Sequence, residues 1–172
     1  MIGLVIAAML LAAGPGASLA APPPVAEEIQ EGLRLRARNG VQQLSSAWTI
    51  YVHTQSAHHL TEEYIRVATR GANGRWTLVS IGETRSGLLH MPTQVLPEER
   101  RDFGSGDSED LDRLLRWPPL YRQRSPRGRE VGVGANFNTM EIVTPHGHAV
   151  FRWTGRLRGW AGAVADMVMG RD

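Results

Sequence analysis

Residues 63–82 read EYIRVATR-GANG-RWTLVSIG. Two runs rich in β-branched and aromatic side chains flank a short turn segment with glycine at both ends, the pattern of an antiparallel hairpin. Ile65 and Val67 stand on one side of the turn, and Trp76, Leu78, Val79 and Ile81 on the other. Just upstream, Ala47 to Thr54 has the same composition. As a strand it places Trp48, Ile50 and Val52 on one face and Thr49, Tyr51 and His53 on the other. These three segments predict a three-stranded antiparallel meander.

Toward the C-terminus, Asn136 to Val143 and His148 to Thr154 predict a second hairpin around Pro145-His146-Gly147, with Met140 and Ile142 facing Phe151 and Trp153. Leu157, Trp160, Ala161, Val164 and Val168 then recur at helical spacing, so all five are expected on one core-facing stripe that Gly170 ends. Trp48, Trp76, Trp153 and Trp160 all read as core, and Trp117, beside Pro118-Pro119, as exposed. Arg156 and Arg158 oppose the positive end of that last helix and invite an outside partner.

Toward the N-terminus, Val25 to Arg38 reads as an amphipathic helix, with Ile29 and Leu33 one turn apart and Gly40 as a stop. Its second half also alternates with period two before Asn39-Gly40, so a strand there is an open alternative. In the middle of the chain, Arg85 to Gly106 reads as an exposed connection because of its prolines, glycines and the run Glu98-Glu99-Arg100-Arg101-Asp102. Asp107 or Ser108 is expected to cap a short helix that runs through Arg116, with Leu111, Leu114 and Leu115 on its apolar side. Pro118-Pro119 stops it, and Tyr121 to Arg129 reads as a loop.

The order predicts an α+β fold: an antiparallel sheet of about five strands, a meander plus a C-terminal hairpin, covered by N- and C-terminal helices. With the helices expected on one face, the other face is left open or curled around an apolar ligand. Residues 25–172 form one domain on this reading.

Ahead of it, Ile2 to Ala13 is uncharged and apolar, Gly14-Pro15-Gly16 breaks the run, and Ser18-Leu19-Ala20 offers small residues for cleavage. Residues 1–20 are therefore expected to be a signal peptide cut between Ala20 and Ala21, and residues 21–24 a Pro-rich lead-in. The apolar run falls short of the about 20 residues a bilayer span needs, so no transmembrane anchor is expected after cleavage. Export to the periplasm or the cell exterior follows.

The chain has no Cys, which excludes disulfides, thiolate metal sites, cysteine nucleophiles and a lipid-modified N-terminal Cys. All 19 basic side chains are Arg, yet the net charge is only +2, too small an excess to indicate a nucleic-acid partner. Six histidines include His58-His59 beside Glu62 and Glu63, and His146 and His148 two apart, the pair that a His-based metal site would use. Gly104-Ser105-Gly106 lacks the spacing of a hydrolase nucleophile elbow, and Gly132-Val133-Gly134 lacks that of a phosphate loop. No cofactor is expected. The acid pairs Glu62-Glu63 and Glu98-Glu99 point to opposite strand faces, and Glu141 is expected to face solvent.

The densest chemical feature is Arg113, Arg116, Arg122, Arg124, Arg127 and Arg129 interleaved with Trp117 and Tyr121. Guanidinium groups grip phosphate or carboxylate bidentately, and the aromatics add stacking or membrane-interface contact. An anionic envelope polymer, a lipid headgroup or an acidic protein are the partners this chemistry fits. The leading expectation is a non-enzymatic exported binding module. Its alternatives are a carrier of an apolar ligand, lipid or lipoprotein, and a His-based metal enzyme or hydrolase. An N-terminal helix followed by a Trp-led meander is loosely similar to exported half-barrel carriers of lipid or lipoprotein, a likeness of element order and not of motif.

Overall fold

A computed structural model describes residues 24–42, 46–56, 60–86, 92–125 and 135–170. The signal peptide expected over residues 1–20 and the lead-in up to Pro23 lie outside the described residues, as do His58, His59, Arg127 and Arg129.

Helix α1 (Glu27–Arg38) is followed by strands β1 (Thr49–Ser56), β2 (Leu60–Arg70) and β3 (Trp76–Ser86). Next come β4 (Gln94–Val95), β5 (Glu99–Asp102), α2 (Ser105–Leu115) and α3 (Pro118–Arg122). The chain then forms β6 (Asn136–Thr144), β7 (Gly147–Thr154) and α4 (Gly159–Met169). The fold is α+β. Its sheet runs β4-β3-β2-β1-β6-β7, with β5 also on β3, and every pairing is antiparallel.

Both expected hairpins form. Val67 pairs with Val79 across β2 and β3, and Met140 with Phe151 across β6 and β7. Of the segment Val25 to Arg38, Glu27 to Arg38 is one helix, without the alternative strand, because alternate-facing burial is replaced by a helical stripe of Ile29, Gly32, Leu35 and Arg36. The glycine is needed there: a Cβ on Gly32 would stand 3.0 Å from the Cβ of Ile65, so only a bare backbone lets α1 lie this close to β2.

The helices do not share one face, as the sequence suggested. Helix α1 packs with Tyr51, Ile65, Val67, Ile81 and Val143 on one side of the sheet. Helices α2, α3 and α4 pack through Leu111, Leu115, Leu120, Ala161, Val164 and Val168 against Ile50, Val52, Trp76, Met140 and Phe151 on the other. These interior side chains are at most 7% exposed, so both faces of the sheet are covered by protein.

The connection expected over Arg85 to Gly106 carries strand structure instead. Glu99 to Asp102 pairs with Ser80 to Thr77, and Gln94 and Val95 with Thr84 and Glu83, so the sheet has seven strands and not about five. Charged side chains suit such an edge, because exposed Glu, Arg and Asp discourage another chain from adding to it. At the opposite edge, Ser125 Oγ accepts the outward N–H of Arg152 on β7 at 3.0 Å.

Two local expectations also change. Helix α2 begins at Ser105 with Gly104 as N-cap and no side-chain cap, and Ser108 lies inside it, accepting the backbone N–H of Trp76 through Oγ at 3.3 Å. Pro118-Pro119 ends α2 and opens α3, which takes in Tyr121 and Arg122 that were read as loop. Proline is well suited to a first helical turn, where its missing N–H has no partner to lose.

Candidate functional site

Two groups of side chains carry chemistry: an exposed ledge where α3 meets α4, and polar groups buried beneath α1. The ledge is built by Gln123, which follows α3. Its Oε1 accepts the N–H of Ala161 in the first turn of α4 at 3.0 Å, and its Nε2 donates to the carbonyl of Arg158 at 2.7 Å. Gly159 has φ +73°, and a Cβ there would meet Gln123 Oε1 at 3.0 Å, so glycine is required for this clasp. Leu120 and Ala161 are buried beneath it.

The clasp brings Trp117 and Trp160 together. Their ring centroids are 5.6 Å apart at 42°, and the residues are 48% and 45% exposed. Trp117 is where the sequence placed it. Trp160 is not in the core: Leu157, Ala161, Val164 and Val168 face inward, and the large indole turns out to the edge of that stripe. Arg122 and Arg124, on either side of Gln123, and Arg158 are exposed and form no ion pair among the described residues.

The other arginines of the run are more committed. Arg113 pairs with Asp110 at 2.6 Å, and Arg116 with Asp112 at 3.7 Å while lying over the Trp48 ring. Tyr121 turns inward, its hydroxyl donating to the Leu115 carbonyl at 2.6 Å with Thr144 Oγ1 also at 2.6 Å, and burial raises its pKa. Arg156 pairs with Asp166 at 3.7 Å. His146 and His148 engage different partners: the His146 ring meets the edge of Trp48 at 5.0 Å, whereas His148 donates Nε2–H to Glu141 at 2.7 Å. No group of three or more His, Asp or Glu placed to hold a metal occurs among the described residues.

The buried polar groups were missed by local reading. Glu141, expected to face solvent, is fully buried. Its Oε1 accepts the N–H of Val25 at 2.8 Å as well as His148, and its Oε2 accepts the N–H of Ala26 at 2.9 Å, so this carboxylate fastens the entry to α1 onto β6. Further along the same face, His53 donates Nε2–H to Glu63 Oε1 at 2.9 Å, and both are buried. Glu63 stands opposite Glu83 in the β2–β3 register. Arg85 reaches both carboxylates and Arg38 reaches Glu83 at 3.4 Å, so the two buried acids share two cations. Burial of charge requires such pairing.

The hydrogen bond from His53 is the main reason that the Glu63 pKa lies below its ordinary value of 4.5, with the nearby arginines acting in the same direction against burial. A carboxylate depressed in the folded state contributes stability that is present above its unfolded pKa and is lost as pH falls through the folded one. Unfolding followed from pH 6 down to about pH 3 is therefore expected to show a steeper acid loss of stability in the wild type than in Glu63→Gln. Parallel profiles would remove Glu63 from the acid response.

The chain matches no protein-family model, no curated protein and no solved structure.

Proposed function

We propose that this is an exported, non-enzymatic binding module that holds an anionic envelope component at the ledge between α3 and α4. The observation that carries the reading is the contact between two half-exposed tryptophans from distant parts of the chain, flanked by Arg122, Arg124 and Arg158 with no acidic partner among the described residues. Glu63, Glu83 and Asp112 are held in ion pairs elsewhere, whereas these three arginines form no ion pair among the described residues. Guanidinium groups so placed bind phosphate or carboxylate, and the tryptophans supply apolar contact beside them. The sequence of residues 1–20 supports export, which the mass of processed protein beginning at Ala21 would test directly.

The binding is tested by titrating the purified protein with inorganic polyphosphate and with vesicles containing phosphatidylglycerol at rising salt. Binding to at least one, weakening with salt, is expected. Replacing Arg122, Arg124 and Arg158 together by Gln should weaken it by about tenfold or more. Binding that ignores both salt and the triple replacement would overturn the reading.

A further inference from the structure

The ledge has a shape as well as a charge. Trp117, Pro118, Pro119 and Trp160 are all exposed, and together they make an apolar tip on a base fixed by buried Leu120 and Ala161. Arg122, Arg124 and Arg158 sit in the segments that the Gln123 clasp joins; of the acids near Trp117, Asp110 is engaged with Arg113 and Asp112 with Arg70 and the Trp76 indole, while Glu109 lines a hollow with Trp117 in the company of Arg113 and Arg116. A soluble anionic polymer would use the cations but leave the tip in water. Nor do the indoles form one flat platform for a sugar or base to stack on, since their planes are inclined by 42°. An apolar wedge with a cationic rim matches the boundary between acyl chains and anionic headgroups, where indole is amphipathic enough to sit and arginine can meet phosphate.

From this we infer that the anionic component is a phospholipid bilayer, with Trp117 and Trp160 entering its interface and Arg122, Arg124 and Arg158 meeting the headgroups; the inference rests on the reading of the ledge as an anion-binding surface. The docking is peripheral. No helix among the described residues is long and apolar enough to cross a membrane.

The experiment uses the full processed protein with vesicles of phosphatidylcholine alone, with vesicles also containing phosphatidylglycerol, and with polyphosphate in the absence of lipid. Sedimentation measures binding, and acyl chains brominated near the headgroup report indole entry by quenching. Expected is binding to the phosphatidylglycerol vesicles with quenching. A Trp117→Ala/Trp160→Ala pair should lose affinity by about 30-fold, from the apolar area withheld from the interface. An Arg122→Gln/Arg124→Gln/Arg158→Gln triple should lose it by about 100-fold, from roughly 1 kcal/mol per arginine. Unchanged thermal midpoints show that these exposed replacements leave the fold intact. Binding to polyphosphate with none to vesicles overturns the bilayer while leaving an anion-binding ledge. Vesicle binding that is unquenched and unaffected by loss of both indoles overturns the wedge. Binding to neither overturns the anionic reading itself.

Discussion

Glu141→Ala is expected to destabilise the protein by about 3–5 kcal/mol, the cost typical of removing one member of a buried charged network. The carboxylate is fully buried and serves three donors: the N–H groups of Val25 and Ala26 and the ring of His148. Its removal leaves the buried Ala26 N–H without an acceptor and opens a cavity between β6 and the start of α1. Glu141→Gln keeps the shape and one acceptor oxygen, so its cost should be well below that of alanine. Urea unfolding would rank the two variants, and amide exchange at Val25 and Ala26 would report the local release. A loss under about 1 kcal/mol in the alanine variant would show that α1 is held by its apolar stripe alone.

Trp76→Ala carries a comparable loss, about 4–5 kcal/mol, for a different reason. The indole is fully buried between the sheet and α2, and its Nε1–H donates to Asp112 Oδ1 at 2.8 Å. Alanine removes a large apolar volume and leaves a void lined by side chains that belong to several elements. Asp112 itself keeps Arg70, which donates Nε at 2.8 Å, so the acid is not stranded. The cavity therefore outweighs the lost hydrogen bond. Trp76→Phe retains most of the volume and should cost only about 1–2 kcal/mol, close to a single hydrogen bond plus imperfect packing. Equal losses in the two variants, by denaturant midpoint at constant slope, would mean that the polar contact dominates. For a domain with a typical net stability of 5–15 kcal/mol, the alanine variant would lie near the limit of folding.

Both hairpins were legible because their information is local. Each is a pair of β-rich runs around a turn, and in each the structure pairs the residues that pattern brings opposite, Val67 with Val79 and Met140 with Phe151. Strands β4 and β5, both paired with β3, carry no such signal. Glu99 to Asp102 is a charge run whose only reason to be extended is the free side of β3.

The second buried face was hidden for a related reason. Within the sequence His53 only shares a strand face with Thr49 and Tyr51, and it is sheet register that places Glu63 opposite Glu83 and His53 beside them beneath α1. Half of the ledge was legible as Arg122, Arg124 and Trp117. Trp160 was not, because a stripe that includes positions 157, 160, 161, 164 and 168 spans more of the helix than the sheet can cover, and the partner that draws Trp160 outward is more than forty residues earlier in the chain. The available signal was Pro118 at a first helical position, which marks α3 and so the clasp that follows it.

The Glu141 anchor has a consequence in time. It joins the start of α1 to β6 across a sequence separation of 115 residues, and the surface on which α1 lies is drawn from β1, β2, β3 and β6 together. As the chain emerges from N- to C-terminus, α1 is the first described element to appear, yet its receptor surface is incomplete until β6 has paired with β1. Loop closure over so long a span is entropically slow, so the step that locks α1 waits on the rest of the sheet. The acceptor that fixes the start of α1 is thus supplied 115 residues after the segment it holds.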